Sequence, residues 1–234
     1  MAKRSAEAED PRRGFLLKAL AAGVFAAGAT PAAWAQFFGR RPQRLPAGQS
    51  VYEATGPVTV NGQPAGAATR VGAAATIVTG AGGQLIFVVG SDAFIMRQNS
   101  RLELAGNGAV ADTLRLVTGA LLSVFGRGAA KRVVTPTSTI GIRGTGLYVE
   151  SEPERSYVCN CYGEILIAAA DDANVTERIT SRHHDAPRYV SKGRIAPAPF
   201  INHTDVELAL IEALVGRTPP FSLFDEDYGG ARRY

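Results

Sequence analysis

An all-β fold follows from three features of residues 51–170. Short apolar runs are divided by glycine-containing turns, several runs alternate with a period of two, and no amphipathic helical stripe of ordinary length interrupts them. The runs are Val58–Val60, Ala75–Thr79, Gln84–Val89, Ala93–Arg97, Arg101–Leu104, Leu114–Val117, Leu121–Phe125, Arg132–Thr135, Leu147–Ser151, Tyr157–Tyr162 and Ile165–Ala168. In Arg101-Leu102-Glu103-Leu104 and Leu114-Arg115-Leu116-Val117 one face is apolar and the other wet, as in a half-buried strand. The expected architecture is a compact roll or solenoid-like domain of many short strands, followed by one C-terminal α-helix.

The turns are read from residue chemistry. Asn61-Gly62, between Val60 and Gln63, readily takes the positive φ angles of a type I′ hairpin turn. Gly80, Gly82 and Gly83 mark a second turn, and Gly106, Asn107 and Gly108 a third; Gly119 and Gly163 are also read as turns. Beyond Ala170, Asp171-Asp172-Ala173-Asn174 is a loop, and Val175–Thr180 and Arg188–Ser191 are further β-like pieces. Thr204-Asp205-Val206-Glu207 has capping-box spacing, the apolar stripe that follows is helical, and Gly216 is a suitable stop. The helix is expected to lay its apolar face on the β-domain.

The 234-residue chain divides into segments. Residues 1–35 read as a signal peptide: Arg12-Arg13-Gly14-Phe15-Leu16 with Lys18 resembles a twin-arginine signal, the apolar stretch Ala19 to Gly28 is weakly hydrophobic, and Ala33-Trp34-Ala35 places cleavage after Ala35. A spanning helix needs about 20 strongly apolar residues, so removal rather than anchoring is expected. Residues 36–50 are a linker, 51–170 the β-domain, 171–217 an extension with a histidine loop and the helix, and 218–234 a tail. Periplasmic localisation follows from the signal.

The formal charge of +4 includes the signal; without residues 1–35 the chain holds 20 basic and 18 acidic side chains. No basic run is interleaved with aromatics, so nucleic acid is an unexpected partner. Gly-x-Ser-x-Gly, His-Glu-x-x-His and a phosphate-binding glycine loop opening a helix are all missing, which argues against an enzyme.

The stretch Val133 to Val149, VVTPTSTIGIRGTGLYV, together with the glycine-rich rhythm around GAGGQLIFVVGSDAFIMRQNSRLEL and LRLVTGALLSVFG, resembles the FecR domain. The similarity covers roughly residues 58–168, and Arg143-Gly144-Thr145 is its most specific part. The resemblance implies an all-β periplasmic module of a kind whose best-known members relay iron-uptake signals across the inner membrane. The sequence shows neither their cytoplasmic anti-sigma region nor a transmembrane helix, so binding of an envelope protein or small ligand is the expected role. Arg143 is read as structural, its five donors reaching strand-end carbonyls, with Gly144 supplying an unusual φ or a close approach.

Cys159 and Cys161 share one face if their segment is a strand. Their α-carbons would lie about 6.6 Å apart, near the upper limit for a disulfide. Two sulfurs on one face also suit a soft or borderline metal. His183 and His184 lie in a loop ending Asp185-Ala186-Pro187, where both can turn to one side; His203 lies further on. Three readings stay open: a Cys159–Cys161 disulfide, a transition-metal (zinc or copper) or haem site of Cys159, Cys161, His183 and His184, and free thiols.

Overall fold

The computed structural model describes residues 43–221, apart from 108, 109 and 129. Arg12, Arg13 and Ala35 of the expected signal, and the tail beyond residue 221, lie outside the described residues. The strands are β1 (Val51–Thr55), β2 (Val58–Val60), β3 (Gln63–Pro64), β4 (Thr76–Thr79), β5 (Gln84–Val89), β6 (Asp92–Met96) and β7 (Arg101–Asn107). They continue with β8 (Val110–Val124), β9 (Lys131–Val134), β10 (Ser138–Ser151), β11 (Ser156–Ala169), β12 (Thr176–Ser181), β13 (Arg188–Ser191) and β14 (Arg194–Pro197). One helix, α1 (Asp205–Leu214), follows. Among the described residues the protein is all-β with one C-terminal helix, as the alternation predicts. β1, β3 and β14 have no counterpart among the predicted runs; β14 forms because Lys192 and Gly193, at φ 45° and 66°, close a tight hairpin with β13.

Pairing is antiparallel except between β8 and β9. The sheet folds over on itself because its longest strands change partners along their length. The first half of β8 pairs with β7, and its second half with β6 and β10. Similarly, β11 pairs with β10 throughout, with β13 near its start and with β12 near its end. At the β2–β3 hairpin Asn61 and Gly62 take φ 52° and 77°, the type I′ geometry expected from Asn-Gly.

Two glycines read as turns are not turns. Gly119 lies inside β8, so Leu114–Val117 and Leu121–Phe125 are one strand. Its φ is +88°, and a Cβ there would come within 2.5 Å of the Ser100 Cα. Ser100 Oγ accepts the Ala120 N–H at 2.9 Å, so the close approach of the Ser100 backbone requires glycine. Gly163 lies inside β11 at φ +92°, where a Cβ would meet the Gly144 carbonyl oxygen at 2.8 Å; Tyr157–Tyr162 and Ile165–Ala168 are likewise one strand.

The inner face of the folded sheet carries one apolar cluster that runs from Val51 through Phe87, Leu102, Leu116, Leu147 and Ile167 to Val190. β6 is buried at all five positions, on both faces. Ile95, Leu122 and Tyr148 are buried yet stand outside that cluster. α1, with Leu208, Leu210, Ile211 and Leu214 buried, packs over β6 and β8 on this second side. Each such side chain contributes about 1.5–3 kcal/mol on burial. The Thr204 side chain accepts the Glu207 N–H and Glu207 accepts the Thr204 N–H at 3.0 Å, forming the expected capping box.

Candidate metal centre

The site is built on an irregularity in β11. Asn160 faces Leu147 and Tyr162 faces Gly146 on β10, which leaves Cys161 without a ladder partner there. This bulge lets Cys161 and Tyr162 both turn to the helix side: the Cys161 sulfur meets His203, and the Tyr162 hydroxyl donates to Glu212. Two buried polar groups hold it. Asn160 Nδ2 donates to the carbonyls of Gly163 (2.9 Å) and Ile179 (3.1 Å), and its Oδ1 lies 2.7 Å from Thr145 Oγ1, which also contacts the Tyr162 carbonyl. Thr145 belongs to the Arg-Gly-Thr segment, so that segment props the cysteine strand from below. Arg143 does not act as expected: it is exposed, and no carbonyl contact holds it among the described residues. Gly144 takes a positive φ of 59°, and a Cβ there would meet only the Arg127 side chain at 3.6 Å, so its conformation, not close packing, requires glycine.

The histidine loop between β12 and β13 is tied to the bulge by the His184 N–H, which donates to the Cys161 carbonyl at 3.0 Å. Asp185 shapes the loop by accepting the Arg182 N–H at 2.8 Å and the His183 N–H at 3.3 Å. His184 itself adopts φ +54°, uncommon for a non-glycine residue, and this turns its ring inward. His203 arrives from the lead-in to α1. Its ring stacks on Tyr148 at 4.4 Å, and the segment before it is held by the Tyr157 hydroxyl, which donates to the Pro199 carbonyl at 2.9 Å.

Four donor atoms thereby converge: the sulfurs of Cys159 and Cys161 with one ring nitrogen each of His184 and His203, all within 4.8 Å of one another. Cys159 Sγ to His184 Nδ1 is 3.4 Å, Cys161 Sγ to His203 Nε2 is 3.5 Å, and the two nitrogens are 3.1 Å apart. Around a tetrahedral zinc ion, bond lengths of about 2.3 Å to sulfur and 2.0–2.1 Å to nitrogen give S···N and N···N edges of about 3.5 and 3.4 Å. The donors therefore stand close to ligand spacing. Their outer atoms are engaged as metal-bound imidazoles require: His184 Nε2 lies 3.0 Å from Asp205 Oδ1, and His203 Nδ1 lies 2.7 Å from the Ile201 carbonyl. A haem is a poor match, because the donors converge on a point and Tyr148 and Phe200 lie against the imidazole rings.

The electrostatics divide the two thiols. Burial pushes Cys159 up, but hydrogen bonds from Cys161, His184 and His203 outweigh it and hold the thiol well below its ordinary pKa. Burial, then the hydrogen bond and charge of Cys159, hold Cys161 well above. Burial disfavours the charged ring of His184, yet Asp205 and Cys159 together raise it to about 9. Burial opposes charge on Asp205 as well, but the two histidines lower it to about 2. Without metal the surroundings thus favour the charged forms of Cys159, His184 and Asp205 together.

Of the residues named from sequence, Cys159, Cys161 and His184 meet at one point. His183 stands beside it, with Nε2 at 2.9 and 2.8 Å from the two Asp205 oxygens. His203 takes the fourth position in its stead. Both cysteines are free in the structure, each sulfur facing an imidazole. His203 and Asp205 were missed by the sequence reading; the signal that marks them is their place at the Thr204 capping box, which fixes them at a helix start.

No family model matches this chain, and no curated protein matches it. Two crystal structures, at 1.65 and 2.50 Å resolution, of a putative anti-sigma factor from Parabacteroides distasonis ATCC 8503 are similar to it, each with 14% identity and a TM-score of 0.44. Each match covers 53% of this chain and 58% of that one, so it spans little more than half of either length.

Proposed function

We propose that this chain is an exported, FecR-like binding protein that holds one transition-metal ion, zinc by preference, between Cys159, Cys161, His184 and His203. It acts in the periplasm as a metal-responsive component rather than as an enzyme. The observation that carries the reading is the convergence of two sulfurs and two imidazole nitrogens within 4.8 Å of one another, with each imidazole's second nitrogen already engaged. Two thiolates balance a divalent ion in a buried site, whereas a monovalent copper ion would leave a net negative charge beside Asp205. Four protein ligands close the coordination sphere, which favours holding the ion over using it to activate water. Export by the twin-arginine route fits, because folded cargo is loaded before it crosses. The ion is itself the small ligand in this reading.

Metal analysis of the protein purified from periplasm tests it. About one zinc per chain is expected, lost in Cys159→Ser and in His203→Ala. Metal-free protein with a mass two hydrogens short would place Cys159 and Cys161 in a disulfide and remove the reading.

A further inference from the structure

We infer that His183, His184 and Asp205 form an outer loading site for the ion, which then passes to the buried sulfur site through the shared His184 ring. The inference rests on the reading of the sulfur site as a metal centre.

The three outer residues also bring one donor atom each within 4.8 Å of one another. Burial differs between the two sets. Both cysteines are fully buried, while the Asp205 side chain keeps 26% of its exposure. A hydrated cation cannot reach the sulfurs without shedding its water. A carboxylate at the surface, backed by two imidazoles, attracts the ion and replaces that water stepwise. Three nitrogen and oxygen ligands leave coordination positions open, so the ion stays exchangeable there. Sulfur ligands deeper in hold a borderline or soft ion more firmly, which gives the transfer its direction. His184 joins the two sets through its two nitrogens, Nε2 facing Asp205 at 3.0 Å and Nδ1 facing Cys159 at 3.4 Å. A neutral ring offers one lone pair at a time, so a single ion occupies one site at a time, and the ring proton moves to the nitrogen that the ion leaves.

The probe is cobalt(II), whose absorption reports thiolate ligation. In the double variant Cys159→Ser/Cys161→Ser, with folding checked by circular dichroism, one cobalt is expected to bind without thiolate-to-metal absorption, and binding is lost on adding His183→Ala. In the otherwise unaltered protein, His183→Ala is expected to keep one metal per chain but to take it up at least about tenfold more slowly, an effect of the size seen when a supporting group is lost. A folded double variant that binds no cobalt, or an unchanged uptake rate in His183→Ala, overturns the loading site while leaving the sulfur site intact. An unaltered protein that binds no metal overturns the underlying reading instead.

Discussion

Zinc added to the metal-free protein at pH 7 should displace about two protons per ion, because ligands must be deprotonated to bind. The number comes from the four ligands separately. Cys159 is lowered well below the ordinary thiol and is counted as giving none. Cys161 is raised well above the ordinary thiol and gives one. His184, raised to about 9, is almost wholly imidazolium at pH 7 and gives another. His203 donates from Nδ1 to the Ile201 carbonyl and turns Nε2 toward the sulfurs, and any proton it carries there adds to the two. Two protons per ion make the apparent affinity rise by about 100-fold per pH unit near neutrality, and by about tenfold per unit once His184 has titrated above pH 9. Calorimetry in buffers of different protonation enthalpy, at one pH, reads the number from the slope of observed against buffer enthalpy. A slope near zero would refute the assignment of Cys161 and His184 as protonated ligands. A slope near four would refute the Cys159 thiolate.

Three further outcomes are expected. In the metal-free protein, His184 contributes stability that is full below its ordinary pKa of 6.5 and lost as pH rises through about 9. Asp205 contributes stability that is full above its ordinary 3.8 and lost as pH falls through about 2. Between pH 6.5 and 9 the lowered Cys159 thiol contributes stability in the opposite sense and offsets the loss from His184, so the melting temperature of the metal-free protein should fall chiefly as pH drops from 3.8 toward 2; a rise over that range contradicts this. Gly119→Ala should destabilise the protein by about 2–4 kcal/mol in urea unfolding, because its φ of +88° and the nearby Ser100 both oppose a Cβ; a loss under about 0.5 kcal/mol would show that the two segments part easily. Thr145→Val removes the contact with Asn160 Oδ1 and leaves a buried acceptor with one partner fewer, at a cost of about 1–3 kcal/mol. The same variant should weaken zinc binding, and unchanged binding would separate the Arg-Gly-Thr segment from the metal site.

The strand pattern was legible because alternation is local: Arg101–Leu104 and Leu114–Val117 each carry their own evidence. Gly119 and Gly163 misled because a positive φ is the same signal in a turn and in a bent strand, and only the approach of Ser100 or Gly144 distinguishes them. The cysteine pair was legible from its period of two. His184 was named, but with His183 as its equal; the loop geometry at φ +54° and the tie to the Cys161 carbonyl separate them. The capping box marks His203 as standing just before a helix, but that α1 docks where the ring meets Cys161 is a tertiary fact that no spacing in the sequence encodes. Arg143 failed for the opposite reason. The resemblance drew the eye to the charged residue, while its neighbour Thr145 carries the contacts.

The most direct test of the metal centre is X-ray absorption at the zinc edge on protein isolated with its metal. Two sulfurs at about 2.3 Å and two nitrogens at about 2.0–2.1 Å are expected, with imidazole scattering beyond them. A shell of oxygen and nitrogen alone, with both cysteines recovered as a disulfide, would contradict the assignment of Cys159, Cys161, His184 and His203 as ligands.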